Sequence, residues 1–324
     1  MILIVHQNGW MLRDFGGVDS WWDGGASYAM VRTFVQALTC VGVDCFVLIS
    51  GYFSIRPKLR SVVNLFTLLA FFYLGCYAFD VFVLGNGGIR IKQILYNVFA
   101  FSRESWFIQC YLFLILLSPV LNKFVESVTE RSLLIYILAF GACAFYFGCV
   151  KDSKYFYFNG GYSVTTLVLL YLVGRYLGLY GEKNMRKWAS FKIVLVWMGC
   201  TLLMMLGYLY IPNRSLLWCY CSPIQIISSS CLLLLFVRLR FQNSFVNWTG
   251  CSCLAVFILH TCDPVFSWLV QRNSIVFHAK SLPVWGMAVV ADSILIFVLA
   301  ILLDKVRIFM VRPVLRLCDK IKIK

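Results

Sequence analysis

Apolar runs of bilayer-crossing length recur along most of this 324-residue chain, and no other feature constrains its fold so tightly. In hydrocarbon every backbone N–H and C=O must be paired within the protein, so runs of this kind fold as helices. About 20 apolar residues cross a bilayer core, and the length leaves room for about ten such spans with short connections. Hydrophobic residues make up 61% of the chain and charged residues 13%, which excludes an ordinary soluble domain. The reading is an all-α, polytopic transmembrane helical bundle of about ten spans, one membrane-embedded domain over 1–324.

Residues 1–7 read as the stub of a first span, and Ile2–Val5 is too short for the apolar core of a signal peptide. Residues 8–32 are polar and carry Trp10, Trp21 and Trp22, as an outer loop touching the interface does. Spans are expected near 33–53, 61–85, 106–122, 133–150, 163–180, 193–211, 217–237, 251–270 and 284–304, followed by a basic tail. Part of 86–105 is expected to form a short interfacial helix.

The formal charge is +15. The bases gather at span ends instead of along one face, so they report topology and the anionic inner leaflet, not nucleic acid. If the span at 33–53 runs inward, eighteen of the 29 Lys and Arg residues fall in inner segments and ten in outer ones, which places both termini inside. Most of the 14 cysteines, Cys40, Cys45, Cys76, Cys143 and Cys200 among them, lie in apolar runs, where Cys acts as a small hydrophobe. Cys219-x-Cys221 and Cys251-x-Cys253 lack the spacing of a zinc or redox pair, so no metal is expected. The chain has no GxSxG, Walker or HExxH pattern, which disfavours hydrolase, ATPase and metalloprotease chemistry.

Chemistry-bearing residues concentrate in VGVDCFVLISGYFSIRPKLR, residues 41–60. An acid in a lipid-length segment costs a few kcal/mol, so Asp44 is expected to be paired, for instance with Arg32, or to orient an imidazole. Ser50-Gly51 permits close approach of another backbone or a ligand. Arg56, Lys58 and Arg60 anchor that end at the cytoplasmic face and have the chemistry to hold phosphates. His6, a neutral imidazole near working pH, suits either proton abstraction from a hydroxyl or an interfacial role at a helix end. His260 and Asp263 are three apart and expected on one helical face, in a catalytic or a structural pairing. Asp292 is expected to face the bundle, and Trp106 reads equally as a belt or a site residue.

Two of these stretches carry a resemblance. VGVD-x-FVLISGYF resembles the second membrane helix of the acyltransferase 3 family, bacterial membrane enzymes that O-acylate sugars. MILIVHQN resembles the end of that family's first helix, which bears an Arg-x10-His motif. His6 matches the motif His, while its Arg would fall five positions before Met1, so the start of the first span is taken as truncated. Trp106-Phe107 leading to Ser118-Pro119, LVGRYL at 172–177 and SCLAVFILH at 252–260 resemble further family segments in the same order. The resemblance implies transfer of an acyl group, acetyl above all, from cytoplasmic acyl-CoA to a hydroxyl of a cell-envelope glycan or lipid-linked sugar. It implies His6 as general base, Arg56, Lys58 and Arg60 as donor-binding residues, and Asp44, Ser50, Trp106, His260 and Asp263 as supporting residues. Acyl-CoA would be a co-substrate, with no bound cofactor. The setting would be the bacterial cytoplasmic membrane, multi-pass, in contact with lipid, with the C-terminus cytoplasmic. Two other readings stay open: a saccharide transporter or flippase that uses the same intramembrane polar residues as a pathway, and an inactive truncated remnant.

Overall fold

A computed structural model describes residues 1–10, 26–98, 106–151, 157–211, 215–239, 241–279 and 281–320. From the N-terminus, α1 (Ile2–Val5) runs on into a π-helical turn at His6–Trp10. α2 (Ala26–Thr39) and α3 (Gly42–Tyr52) make one span, and α4 (Leu59–Phe82) the next. The short α5 (Ile91–Val98) is the helix expected within 86–105. α6 (Trp106–Ser127) continues past Pro119, as membrane helices tolerate when neighbours satisfy the freed carbonyl. α7 (Glu130–Phe145) starts at a cap, Thr129, whose side chain accepts from the Ser132 N–H, and ends in a π-helical turn at Tyr146–Val150. α8 (Val164–Tyr176) is capped by Ser163, which accepts from the Thr166 N–H. Then come α9 (Ser190–Tyr210), α10 (Ser215–Trp218), α11 (Pro223–Arg238), α12 (Ser244–Gly250), α13 (Cys253–Thr261), α14 (Asp263–Ala279) and α15 (Leu282–Lys320).

No strand occurs among the described residues. Eight of their helices are long and apolar enough to cross a membrane, or nine if the pair α12 and α13, bent by 40°, counts as one span. With the α1 segment this is consistent with about ten spans, so the all-α membrane bundle holds. Three local readings change. Of the expected loop 8–32, residues 11–25 lie outside the described residues, and α2 begins at Ala26. The expected span 251–270 is broken: Ser252 is non-helical, and Cys262, at φ −70° and ψ 136°, separates α13 from α14. The expected last span is the first half of a 39-residue helix about 58 Å long, so the basic tail is helical as far as Lys320.

The described residues fall into two compact units. One takes those of Met1–Val5, Trp21–Arg56 and Cys110–Arg240, and the other those of His6–Ser20, Pro57–Gln109 and Phe241–Lys324. In the first unit α3 packs on α8 and α11. Glycines set how near these helices come. A Cβ on Gly51 would collide with the Tyr171 carbonyl oxygen, and one on Gly174 with the Leu48 carbonyl oxygen. Backbone therefore meets backbone where the sequence has Ser50-Gly51 and LVGRYL. Leu48, Leu177, Leu233 and Leu234 close around this crossing. Elsewhere in the unit Cys149 and Cys219 are joined in a disulfide.

In the second unit α15 packs on α4, α13 and α14. Arg307 is fully buried there, donating to Asp304 at 2.7 Å and to the Asn64 and Thr67 side chains at 2.9 and 3.0 Å. Asp292 faces inward, as expected, and receives both bonds of the Arg272 Nε–H at 2.8 and 2.9 Å.

Candidate functional site: a histidine pair in the second unit

Residues 254 positions apart meet in the second unit: His6 Nδ1 lies 2.9 Å from His260 Nε2. His260 sits in the last turn of α13, with its Nδ1 2.7 Å from the Val256 carbonyl oxygen. A carbonyl only accepts, so His260 Nδ1 carries a hydrogen and donates it. In a neutral pair, His260 Nε2 then accepts from His6 Nδ1–H, and the lone pair of His6 falls on Nε2. This tautomer is assigned from the hydrogen-bond network. It puts on His6 Nε2 the basic lone pair that proton abstraction requires.

Aromatic rings back the pair. Phe257 meets His260 edge-on at 5.7 Å between centroids, Phe107 meets Phe257 at 5.2 Å, and Trp106 meets Phe107 at 5.7 Å. Trp106, His260 and His6 thus belong to one chain of contacts, with His260 fully buried.

The residue after His6 explains how the turn is held. Gln7 is fully buried, donates to Ser293 Oγ at 2.8 Å and accepts from Asn273 Nδ2 at 3.3 Å. Asn273 in turn accepts from the Trp285 indole N–H at 2.6 Å. These bonds pin the π-helical turn to α14 and α15, and π-helical turns recur at functional sites. Sequence reasoning missed Gln7, Asn273, Trp285 and Ser293. Their only signal was polarity inside apolar runs.

Asp263 does not share a helical face with His260. The extended Cys262 ends α13, and Asp263 opens α14 ahead of Pro264. A residue before proline is biased away from helical ψ, and Pro suits a first helical turn, so a break here was written in Cys262-Asp263-Pro264.

Asp44 and Ser50 belong to the first unit. Asp44, in the first turn of α3, is fully buried, as is Arg32 on α2. Gln225 lies beside Asp44, but the Gln225 amide N–H points at the Cys40 carbonyl, 3.5 Å away. Neither Asp44 oxygen accepts a hydrogen bond among the described residues. Ser50 Oγ donates to the Phe46 carbonyl at 2.9 Å and stands 3.1 Å from the Tyr111 hydroxyl.

The basic loop after α3 is held from behind. The Ile55 N–H donates to the Tyr171 hydroxyl at 3.1 Å, that hydroxyl donates to Asn122 Oδ1 at 2.8 Å, and Asn122 Nδ2 donates to the Ile55 carbonyl at 2.9 Å. Arg56, Lys58 and Arg60 are all exposed. Arg56 closes the first unit, whereas Lys58 and Arg60 open the second. Arg60 is ion-paired at 2.5 Å with Asp319 near the end of α15. A further cation is Arg175, within LVGRYL of the first unit. It is buried, and its Nε has no hydrogen-bond partner among the described residues.

The fold is that of a polytopic helical membrane protein, and comparison sharpens this class. The acyltransferase 3 family model, described as an acyltransferase domain, matches residues 1–304. The chain belongs to that family and is an acyl-transferring membrane enzyme. No curated protein and no solved structure matches it.

Proposed function

We propose that the enzyme moves an acyl group, acetyl above all, from acyl-CoA at the cytoplasmic face of a bacterial inner membrane to a hydroxyl of a cell-envelope glycan or lipid-linked sugar. The observation that supports this is the Val256–His260–His6 chain of hydrogen bonds, which aims the basic lone pair of His6 at Nε2. The sugar O–H donates to that nitrogen while its oxygen attacks the thioester carbonyl. The C–O bond forms, the C–S bond breaks, and the departing thiolate takes the proton back from His6. As His6 becomes cationic its Nδ1–H bond to His260 strengthens, because hydrogen bonds to charged groups are the stronger kind.

Arg56, Lys58 and Arg60 hold the donor phosphates in this reading, with Arg60 exchanging Asp319 for phosphate. Trp106 and Asp263, in the same unit as the histidine pair, shape the site, and the C-terminus lies in the cytoplasm.

The test compares cells making the chain with cells making His6→Ala, measuring base-labile acyl ester on envelope glycans. Ester should vanish in the variant while the protein stays in the membrane. Equal ester in both overturns the assignment of His6.

A further inference from the structure

We propose that Cys149, Cys219 and Cys221 form a thiol–disulfide exchange site in the first unit, with Cys221 as the thiol that attacks the Cys149–Cys219 bond. Cys149 comes from the π-helical turn that ends α7, and the other two from the turn between α10 and α11. Their three sulfurs lie within 4.8 Å of one another, and all three residues are buried. Cys221 Sγ is 3.3 Å from Cys149 Sγ and 3.9 Å from Cys219 Sγ, and its thiol donates to the Ala144 carbonyl at 3.4 Å.

Two glycines make the room. A Cβ on Gly148 would stand 3.0 Å from Cys221 Sγ. Gly161, at φ +94°, would bring a Cβ to 2.8 Å from the Tyr220 backbone nitrogen and 3.1 Å from that of Cys221. The third sulfur is therefore seated against the bond by the surrounding backbone, and no side chain intervenes.

Exchange needs a thiolate within reach of a disulfide sulfur. Attack of Cys221 on Cys149 forms the Cys149–Cys221 bond and expels Cys219 as thiolate, which takes the proton that Cys221 gave up. The count of oxidised sulfurs does not change, so the step needs no oxidant. Compartment agrees with chemistry. Of the two bridged spans, Glu130–Val150 has a base at each end, Arg131 and Lys151, whereas Leu216–Arg238 carries its base, Arg238, at the end opposite the cysteines. Positive ends stay in the cytoplasm, which puts the cysteines at the outer ends, where disulfides form and persist.

The experiment uses the full chain in detergent, reduced, freed of reductant and reoxidised with oxidised glutathione, each new protein disulfide converting one glutathione disulfide to two thiols. Thiols are then trapped in acid, alkylated and mapped by mass spectrometry. Wild type should show Cys149–Cys219 with a minor share of Cys149–Cys221. Cys221→Ser should close Cys149–Cys219, and Cys219→Ser should close Cys149–Cys221 in most molecules. Closure in Cys221→Ser but not in Cys219→Ser overturns the proposal. So does a wild-type protein that forms no disulfide among the three, or one whose three reduced thiols hold zinc or copper in stoichiometric amount.

Discussion

The role assigned to His260 is best tested by separating its shape from its acceptor nitrogen. His260→Leu keeps a buried apolar side chain beside Phe257 but leaves His6 Nδ1–H without the acceptor now 2.9 Å away. In the ground state that is one neutral hydrogen bond. In the proposed transition state His6 carries charge, and a hydrogen bond to a charged group is worth about 1.5–3 kcal/mol. At 1.36 kcal/mol per tenfold, the rate of ester formation should fall about 10- to 150-fold. His260→Gln puts an amide oxygen close to where Nε2 now sits, so it should recover most of that loss. The assay is single-turnover ester formation by purified protein in lipid nanodiscs, with thermal melting as the check on folding. The order wild type, Gln, Leu supports the tautomer argument. Equal rates for Gln and Leu in folded protein would refute it, since the lost quantity would then be packing.

Gly51→Ala should cost about 1–3 kcal/mol, because α3 must back away from the Tyr171 carbonyl; an unchanged melting temperature in detergent would contradict the close crossing. Asp304→Leu leaves the buried Arg307 with neutral partners only and should cost about 3–5 kcal/mol, whereas Asp304→Leu combined with Arg307→Met should restore most of it. A double variant no more stable than the single one would show that the pair is not what Asp304 contributes. Asp319→Asn should lower the donor KM by freeing Arg60; an unchanged KM would detach this cation from the donor.

The bundle was legible because the physics of lipid is written locally. A segment of 20 apolar residues has few other options in a membrane, and Gly51 announced a close crossing before its partner was known. Local patterns also held more than was taken from them. Cys262-Asp263-Pro264 spells a helix break, and Arg307 with Asp304 continues a helix beyond its apolar half. Other features were out of reach. His6 meets His260 across 254 residues, and Cys149 meets Cys219 across 70. Such pairings depend on how spans pack, and hydropathy is the same for either neighbour. The Gln7–Asn273–Trp285 chain was hidden for the same reason: each member is an isolated polar residue until its partner is seen.

The rings behind His260 bear on what the enzyme refuses to do. A thioester beside a basic nitrogen hydrolyses as soon as water reaches it, and water is far more plentiful than any sugar. Trp106, Phe107 and Phe257 offer water no hydrogen-bond acceptor along that side, and His260 is closed to it entirely. Solvent excluded there cannot intercept the acyl group. In the proposed reaction, the choice between spending the donor on water and passing it to a carbohydrate would then rest on three aromatic rings as much as on the imidazole they support.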